Sequence, residues 1–581
     1  MVRPLLCSVT LMVSFLSPVA FLTRQHNRIL SLPIANRRRF WGSLWVGLAI
    51  AWGQPSLGAE QVSATYGVFE RTLSVDALEA YAKYGQVDGE LAPYLNLAPR
   101  DSRDTLREVL SARADLDPVA VSQFLYTPQG EALLQRLGQA IQSGSGGSGF
   151  KGLRSALILA AADEEGLTLL NVLRHFPTPT LRVNFNQTFR MAQQLQTLVS
   201  ANEAALAEVR EQSRREAEAE NLSSDGFADL SQPGRLTWDE ISMTLRDPRR
   251  NPPWGHRFPV DLYVPRTTEP TPIIVISHGL GSDRNAFRYL AEHLASHGFA
   301  VFVPEHSGSN AKHMEALLAG QEQEIAKPQE FVDRPSDVSF LLDTIAVLSR
   351  TDPQLHDRFD FDRVGVVGQS FGGYTALTLA GAELNLSHLA QTCDRAREEQ
   401  SWNVSFLLQC RALAISGQQR QFRDPRIRGA IAINPVGSAL FGRSGYQRIE
   451  IPIAIVASGA DTVAPALLEQ IQPFRWLNVA ERYLFVLGGG THFSTIGESE
   501  EEAVSLPSAV VGPDPSLARD YVRALSLAFF QTYIVENFEF RDYLSATYVR
   551  TLSRDPISLH LVRQLEDTPL ETACTTVADC L

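Results

Sequence analysis

The chain has 581 residues, 44% of them hydrophobic and 20% charged, enough for more than one domain and a large buried core. Its 65 acidic against 52 basic side chains leave a formal net charge of −13, and phosphate binding needs clustered lysine and arginine, so a nucleic-acid partner is excluded. The five cysteines and 12 histidines show no zinc-ligand spacing, so no zinc site is expected.

Residues 1–59 read as a signal or targeting region. Asn36-Arg37-Arg38-Arg39-Phe40 precedes an apolar stretch, 41–52, that ends at Ser56-Leu57-Gly58-Ala59. Basic, apolar and small-residue segments in that order make a secretory signal peptide. The arginines followed by Phe40 also fit a twin-arginine route. An earlier apolar segment, 5–22, carries Pro18 and fits either a membrane span or an upstream start. Export is expected, to a periplasmic, lumenal or extracellular space, with peripheral contact or anchoring to a membrane through these segments left open.

Residues 60–220 carry helical periodicity, with Ser74 and Thr127 as N-caps, and predict a smaller all-helical domain. Within it, Gly144-Ser145-Gly146-Gly147-Ser148-Gly149 spells a dinucleotide fingerprint by letter, but it follows a predicted helix rather than a strand and reads as a flexible loop. Residues 203–220, rich in alanine, glutamate and arginine, read as a solvated helix. Turn-forming residues at 221–234 mark a linker.

From 235 to 536 strand and helix signals alternate. Strands are predicted at 260–264, 273–276, 300–304, 364–367, 427–433, 451–457 and 483–487, with helices between most of them, including 337–348. That alternation is the pattern of an α/β fold, a mostly parallel sheet covered on both faces. The first strand end of chemical interest is Ser277-His278-Gly279-Leu280-Gly281. It offers backbone donors for a tetrahedral oxyanion, with the Leu280 N–H as one of them. His278, Gly279 and Gly281 are expected to shape that loop rather than move protons.

Gly368-Gln369-Ser370-Phe371-Gly372 follows the apolar run Val364-Gly365-Val366-Val367 and precedes a helical stretch, which is the context a G-x-S-x-G nucleophile elbow requires. Ser370 is the candidate nucleophile and the Phe371 N–H the second oxyanion donor. An insert at about 384–425 is longer than typical loops and holds Cys393, Cys410 and the apolar Phe406-Leu407-Leu408. It is read as a lid that sets acyl and leaving-group preference, with an inert surface excursion as the alternative.

A serine hydroxyl needs an adjacent base, and the base needs an acid to orient it. Asp461 follows a β-branched run at a strand end, where an acid would sit, with a helix N-cap as the lesser alternative. Asp394 and Asp424 fall in the irregular insert. His492, in Gly488-Gly489-Gly490-Thr491-His492-Phe493, follows the strand-like 483–487 and is the candidate base. His560 lies in the tail, in what looks like a helix, and reads as a packing residue. The tail, 537–581, is expected to dock on the helical domain. Proximity pairs Cys393 with Cys410 and Cys574 with Cys580, although four cysteines allow three pairings.

At Val275-Ile276-Ser277-His278-Gly279-Leu280-Gly281, Leu294-Ala295-Ser296-His297-Gly298-Phe299-Ala300, Glu305-His306, the elbow 368–373 and Thr491-His492-Phe493-Ser494, the chain resembles the plasma-type platelet-activating-factor acetylhydrolases and related dienelactone-hydrolase-like esterases. The resemblance covers roughly 235–535. It implies an α/β-hydrolase fold and a serine esterase that removes a short acyl group from a lipid or other small ester without calcium or another cofactor. Its roles fall on Ser370, Asp461, His492, Leu280 and Phe371. The region before it resembles a helical domain of unknown function found ahead of bacterial α/β-hydrolases. Lipase or polyesterase action on longer esters, and a non-catalytic binding protein on a hydrolase scaffold, are the competing readings.

Overall fold

A computed structural model describes residues 58–66, 69–97, 100–114, 116–398, 401–415, 421–498 and 511–566, with Cys574, Val577 and Cys580. Residues 1–57 of the expected targeting region, Cys7 among them, lie outside the described residues. None of the described helices is long and apolar enough to cross a membrane. The chain divides into two compact units, one of residues up to 126 with 130–191 and one of 127–129 with 192 onward.

The first unit is not all helix. Strand Gln61–Tyr66 pairs antiparallel with Phe69–Ser74 and parallel with Thr180–Asn184, which in turn pairs antiparallel with Ile141–Ser143. Helices Val75–Tyr84, Phe150–Ala162 and Leu169–Arg174 bury Val75, Leu78, Leu153, Ala156 and Leu170 in the same core as Leu181. The strands are short and mostly half-exposed, so they lack the apolar run that would mark them in sequence. Ser74 caps its helix, its Oγ accepting from the Ala77 N–H at 3.2 Å. The glycine-rich segment 144–149 does follow a strand, contrary to expectation. That strand is three residues long and antiparallel to its partner, and the turn closes on itself through Ser143 N–H to Gly147 O at 3.0 Å. The strand that leads into it runs antiparallel to Thr180–Asn184, its later partner in the sheet, where a dinucleotide-binding β-α-β unit needs the two parallel, so the dinucleotide reading still fails.

The second unit is built on a nine-stranded sheet. Its strands are β1 (Trp238–Asp247), β2 (His256–Pro265), β3 (Thr271–Ser277), β4 (Ala300–Pro304), β5 (Phe359–Gln369), β6 (Ile427–Ile433), β7 (Ile453–Ser458), β8 (Arg482–Gly488) and β9 (Ser558–Val562). They lie in the order 1-2-4-3-5-6-7-8-9. Strands 4-3-5-6-7-8 run parallel, and the edges are antiparallel. Along β3, Ile273 and Val275 enter one core while Ile274 and Ile276 enter the other. Both faces are therefore dry, which is why the central strands read as unbroken apolar runs.

Four helices cover the sheet on its two sides: α2 (Arg288–Ser296) and α5 (Pro515–Tyr533) on one, α3 (Glu330–Thr351) and α4 (Phe371–Ala380) on the other. A further helix, α1 (Phe185–Ala219), contributes residues 192–219 to this unit. It is not solvated all round. Ala201, Ala205 and Val209 recur every four residues and are buried in the core of this unit, while Arg214 and Arg215 pair with glutamates on the outer face.

Three further expectations change at the edges. The segment 221–234 is docked rather than free, with Leu230 buried and the Gly234 N–H donating to Ser296 Oγ at 2.7 Å. Around His560 the tail forms a strand rather than a helix, and this β9 pairs with β8. It meets α1 through Glu216, which accepts from the Arg563 and Gln564 amides, but that stretch of α1 belongs to the second unit. The polar β1 and the short β9 were hidden because edge strands need only one apolar face.

The insert is packed, not loose. Helix Leu386–Glu398 and the segment Phe406–Gln409 bury Leu389, Cys393 and Phe406 in the core, and Cys393 is bonded to Cys410. Cys574 is bonded to Cys580. Denatured without reductant, the oxidised chain is expected to titrate no thiol from these four cysteines; four free thiols would contradict the pairing. Ala205→Asp is expected to lower stability by about 2–4 kcal/mol in chemical unfolding, because it buries an unpaired carboxylate. The same change at exposed Ala204 should stay within about 0.5 kcal/mol.

Candidate active site

Ser370 stands at the corner between β5 and α4 with φ +56° and ψ −115°, a conformation that L side chains rarely adopt. The corner is closed by the Ser370 N–H donating to Ile433 O of β6 at 2.8 Å. Close packing makes glycine necessary beside it. A Cβ on Gly372 would lie 1.9 Å from Ser277 O, and one on Gly279 would lie 2.4 Å from Gln369 Oε1. The first turn of α4 therefore rests on the end of β3, and the Gly279 loop rests against the residue before the serine.

His492 reaches the serine from the loop after β8. Its Nε2 lies 2.9 Å from Ser370 Oγ, and its Nδ1 lies 2.6 Å from Asp461 Oδ2. With Nδ1 donating to the carboxylate, Nε2 is left to accept the serine proton. The His492 carbonyl is held by Gln369 Nε2 at 3.1 Å and Asn434 Nδ2 at 3.3 Å. All three side chains are buried, with Ser370 at 7% relative exposure, Asp461 at 5% and His492 at 4%, so a proton passed between them is little screened by water.

Asp461 performs both tasks that its sequence position allowed. Oδ1 accepts the amides of Val463 at 2.8 Å and Ala464 at 2.7 Å, as a turn cap does, while Oδ2 meets His492. Asp394 is exposed and paired with Arg397, and Asp424 is held by Arg426, so neither joins the cluster. His560 is on β9, 3.2 Å from Ser558 Oγ, where burial lowers its pKa to about 4.

The oxyanion candidates flank the serine. Phe371 is the first residue of α4, so its amide has no carbonyl one turn back within the helix. Leu280 lies between Gly279, which packs on Gln369, and Gly281, whose amide donates to Ser309 O at 2.8 Å. His278 is buried, and burial, reinforced by the charge of Arg334, holds it neutral by lowering its pKa well below the usual range. Its Nε2 accepts the His306 amide at 3.0 Å, so the proton is on Nδ1, which donates to Gly279 O at 2.8 Å. Its contacts are those of a loop support.

Two residues of the site were not legible in sequence. Asn202 of α1 donates through Nδ2 to Gly459 O at 3.1 Å and accepts the Leu467 amide at 2.9 Å, bracketing the Asp461 loop. The four-residue spacing of Ala201, Ala205 and Val209 is the only sequence signal that this face of α1 is buried. Glu469 lies in a π-helical turn, fully buried. Its Oε1 accepts from Asn403 at 2.6 Å, Gln409 at 2.9 Å and Ser438 Oγ at 2.7 Å, and its Oε2 accepts from the amides of Gly437 at 3.0 Å and Ser438 at 3.1 Å. Nothing in its neighbours' letters marks it. Through Asn403 and the Ser405 amide, which donates to Val463 O at 2.9 Å, the insert is fastened to the acid loop.

Asn202→Ala is expected to free the acid loop and lower turnover about tenfold, with His492 and Ser370 unchanged. Steady-state rates set against a retained unfolding transition check this.

Two family models match the chain. One, described as an α/β-hydrolase of unknown function (DUF1400), matches residues 58–184, and one described as the α/β-hydrolase fold matches 272–389, from β3 through the elbow into the insert. The platelet-activating factor acetylhydrolase of Canis lupus familiaris is 30% identical over 143 residues, covering 19% of this chain and 32% of that protein. The Bos taurus protein of the same name is 28% identical over 143 residues, with the same shares. That of Cavia porcellus is 26% identical over 303 residues, covering 46% of this chain and 59% of that protein. The chain thus spans about a third of the length of the first two relatives. With the sheet order and the elbow, these matches identify an α/β-hydrolase that resembles the platelet-activating-factor acetylhydrolases.

Proposed function

We propose that the second unit is a serine esterase working through an acyl-serine intermediate, on short-acyl lipid or phospholipid esters. The observation that carries this reading is the hydrogen-bonded sequence Ser370–His492–Asp461 at a strained strand-to-helix corner. His492 takes the Ser370 proton as Oγ attacks the ester carbonyl. The negative charge that develops on the carbonyl oxygen is met by the amides of Leu280 and Phe371. His492 then returns the proton to the leaving alcohol, and a water activated by the same imidazole cleaves the acyl-serine. Asp461 stays ionised, fixing the tautomer and stabilising the imidazolium. The short-acyl preference rests on the resemblance to the acetylhydrolases.

Ser370→Ala is expected to lower ester turnover by about four orders of magnitude or more, with the unfolding transition retained. Asp461→Asn keeps an oxygen for the Val463 and Ala464 amides but turns an amide toward His492, favouring the wrong tautomer, and should cost about 10⁴-fold in kcat. A series of nitrophenyl esters tests the substrate class. Falling kcat/KM beyond butyryl supports it, and a maximum at long chains would replace it with lipase action. Near-wild-type turnover by Ser370→Ala would sink the assignment.

A further inference from the structure

Arg334, on α3, heads the fully buried side chains by volume, yet carries a cation. Removing a guanidinium wholly from water is costly unless every N–H finds a partner. Its partners are specific. Nη1 donates to His278 O at 2.6 Å, Nη2 to Gly279 O at 3.3 Å and Nε to Ser309 Oγ at 2.9 Å, with Glu330 Oε2 3.8 Å away. The guanidinium carbon lies 4.3 Å from the centre of the Phe371 ring. Burial lowers its pKa to about 10, which still leaves it charged at neutral pH.

The Gly279 carbonyl and the Leu280 N–H belong to one peptide group, and a planar trans peptide points them in opposite directions. Arg334 and His278 Nδ1 both donate to that carbonyl, so they fix the peptide plane and hence the direction of the Leu280 N–H. A cation on the carbonyl side also polarises the peptide and strengthens its N–H as a donor. The same guanidinium packs against Phe371, whose amide is the other donor.

We propose that Arg334 is a positioning residue for the oxyanion hole, locking the Gly279–Leu280 peptide and the Phe371 corner so that both amides converge on one oxygen. This rests on the assignment of Leu280 and Phe371 in the proposed function. Because Arg334 lies behind the peptide, it contributes little to binding a neutral ester. Its contribution grows as negative charge develops on the carbonyl oxygen.

The test uses the full chain with Arg334→Met and Arg334→Lys, a nitrophenyl acetate assay, and a trifluoromethyl ketone. The ketone captures the site as a tetrahedral adduct: Ser370 Oγ bonds to its carbonyl carbon, the π pair moves to oxygen, and the proton passes to His492. Rates are expressed per site titrated with a fluorophosphonate, so misfolded protein does not count. Arg334→Met is expected to lose about 10²-fold in kcat, with KM within about threefold and ketone affinity lowered in step with kcat. Arg334→Lys, a cation without the fork, should recover part of this loss. Wild-type kcat per titrated site in Arg334→Met overturns the inference, as does a loss confined to KM. Should Arg334→Met not fold, Arg334→Lys decides by the same criteria. Wild-type turnover that survives Ser370→Ala instead overturns the esterase assignment, and this inference with it.

Discussion

A serine at φ +56° between a buried strand and a buried helix is the constraint around which the second unit is arranged. Such a conformation costs about 1–3 kcal/mol and persists only where the surroundings over-determine it. Here β6 holds the Ser370 amide, Gly372 lets α4 touch the end of β3, and Gln369 meets both the Gly279 loop and the His492 carbonyl. The strain is thus balanced by contacts that also bring the candidate base and the candidate oxyanion donors to the hydroxyl. A looser corner would lose both at once.

The candidate site was legible because each of its residues sits at or just past the end of an apolar run. Strands β3, β5, β7 and β8 are dry on both faces, so Val, Ile and Ala mark them continuously, and the polar residue that ends each run is conspicuous. Ser277, Ser370, Asp461 and His492 stand out for that reason. The edges were not legible. β1 and β9 alternate or are short, and the first unit's small sheet is half-exposed, so its helical segments dominated the reading. Helix α1 misled through its charged outer face, although alanines at every fourth position lay beneath it.

Supporting residues were the least visible part. Asn202, Glu469 and Arg334 act through backbone carbonyls and amides, which any sequence supplies, so no spacing advertises them. Glu469 and Arg334 are polar groups whose burial is justified only by their partners. Together the three tie the Asp461 loop to α1, the insert to the Glu469 turn and the Gly279 loop to α3.

The most direct test of the account is the site of covalent capture. Treating the protein with a fluorophosphonate and mapping the adduct by peptide mass spectrometry should give one modified residue, Ser370, with labelling abolished by His492→Ala. Modification at a different serine, or none in a folded protein, would contradict the central claim that this corner activates a nucleophile.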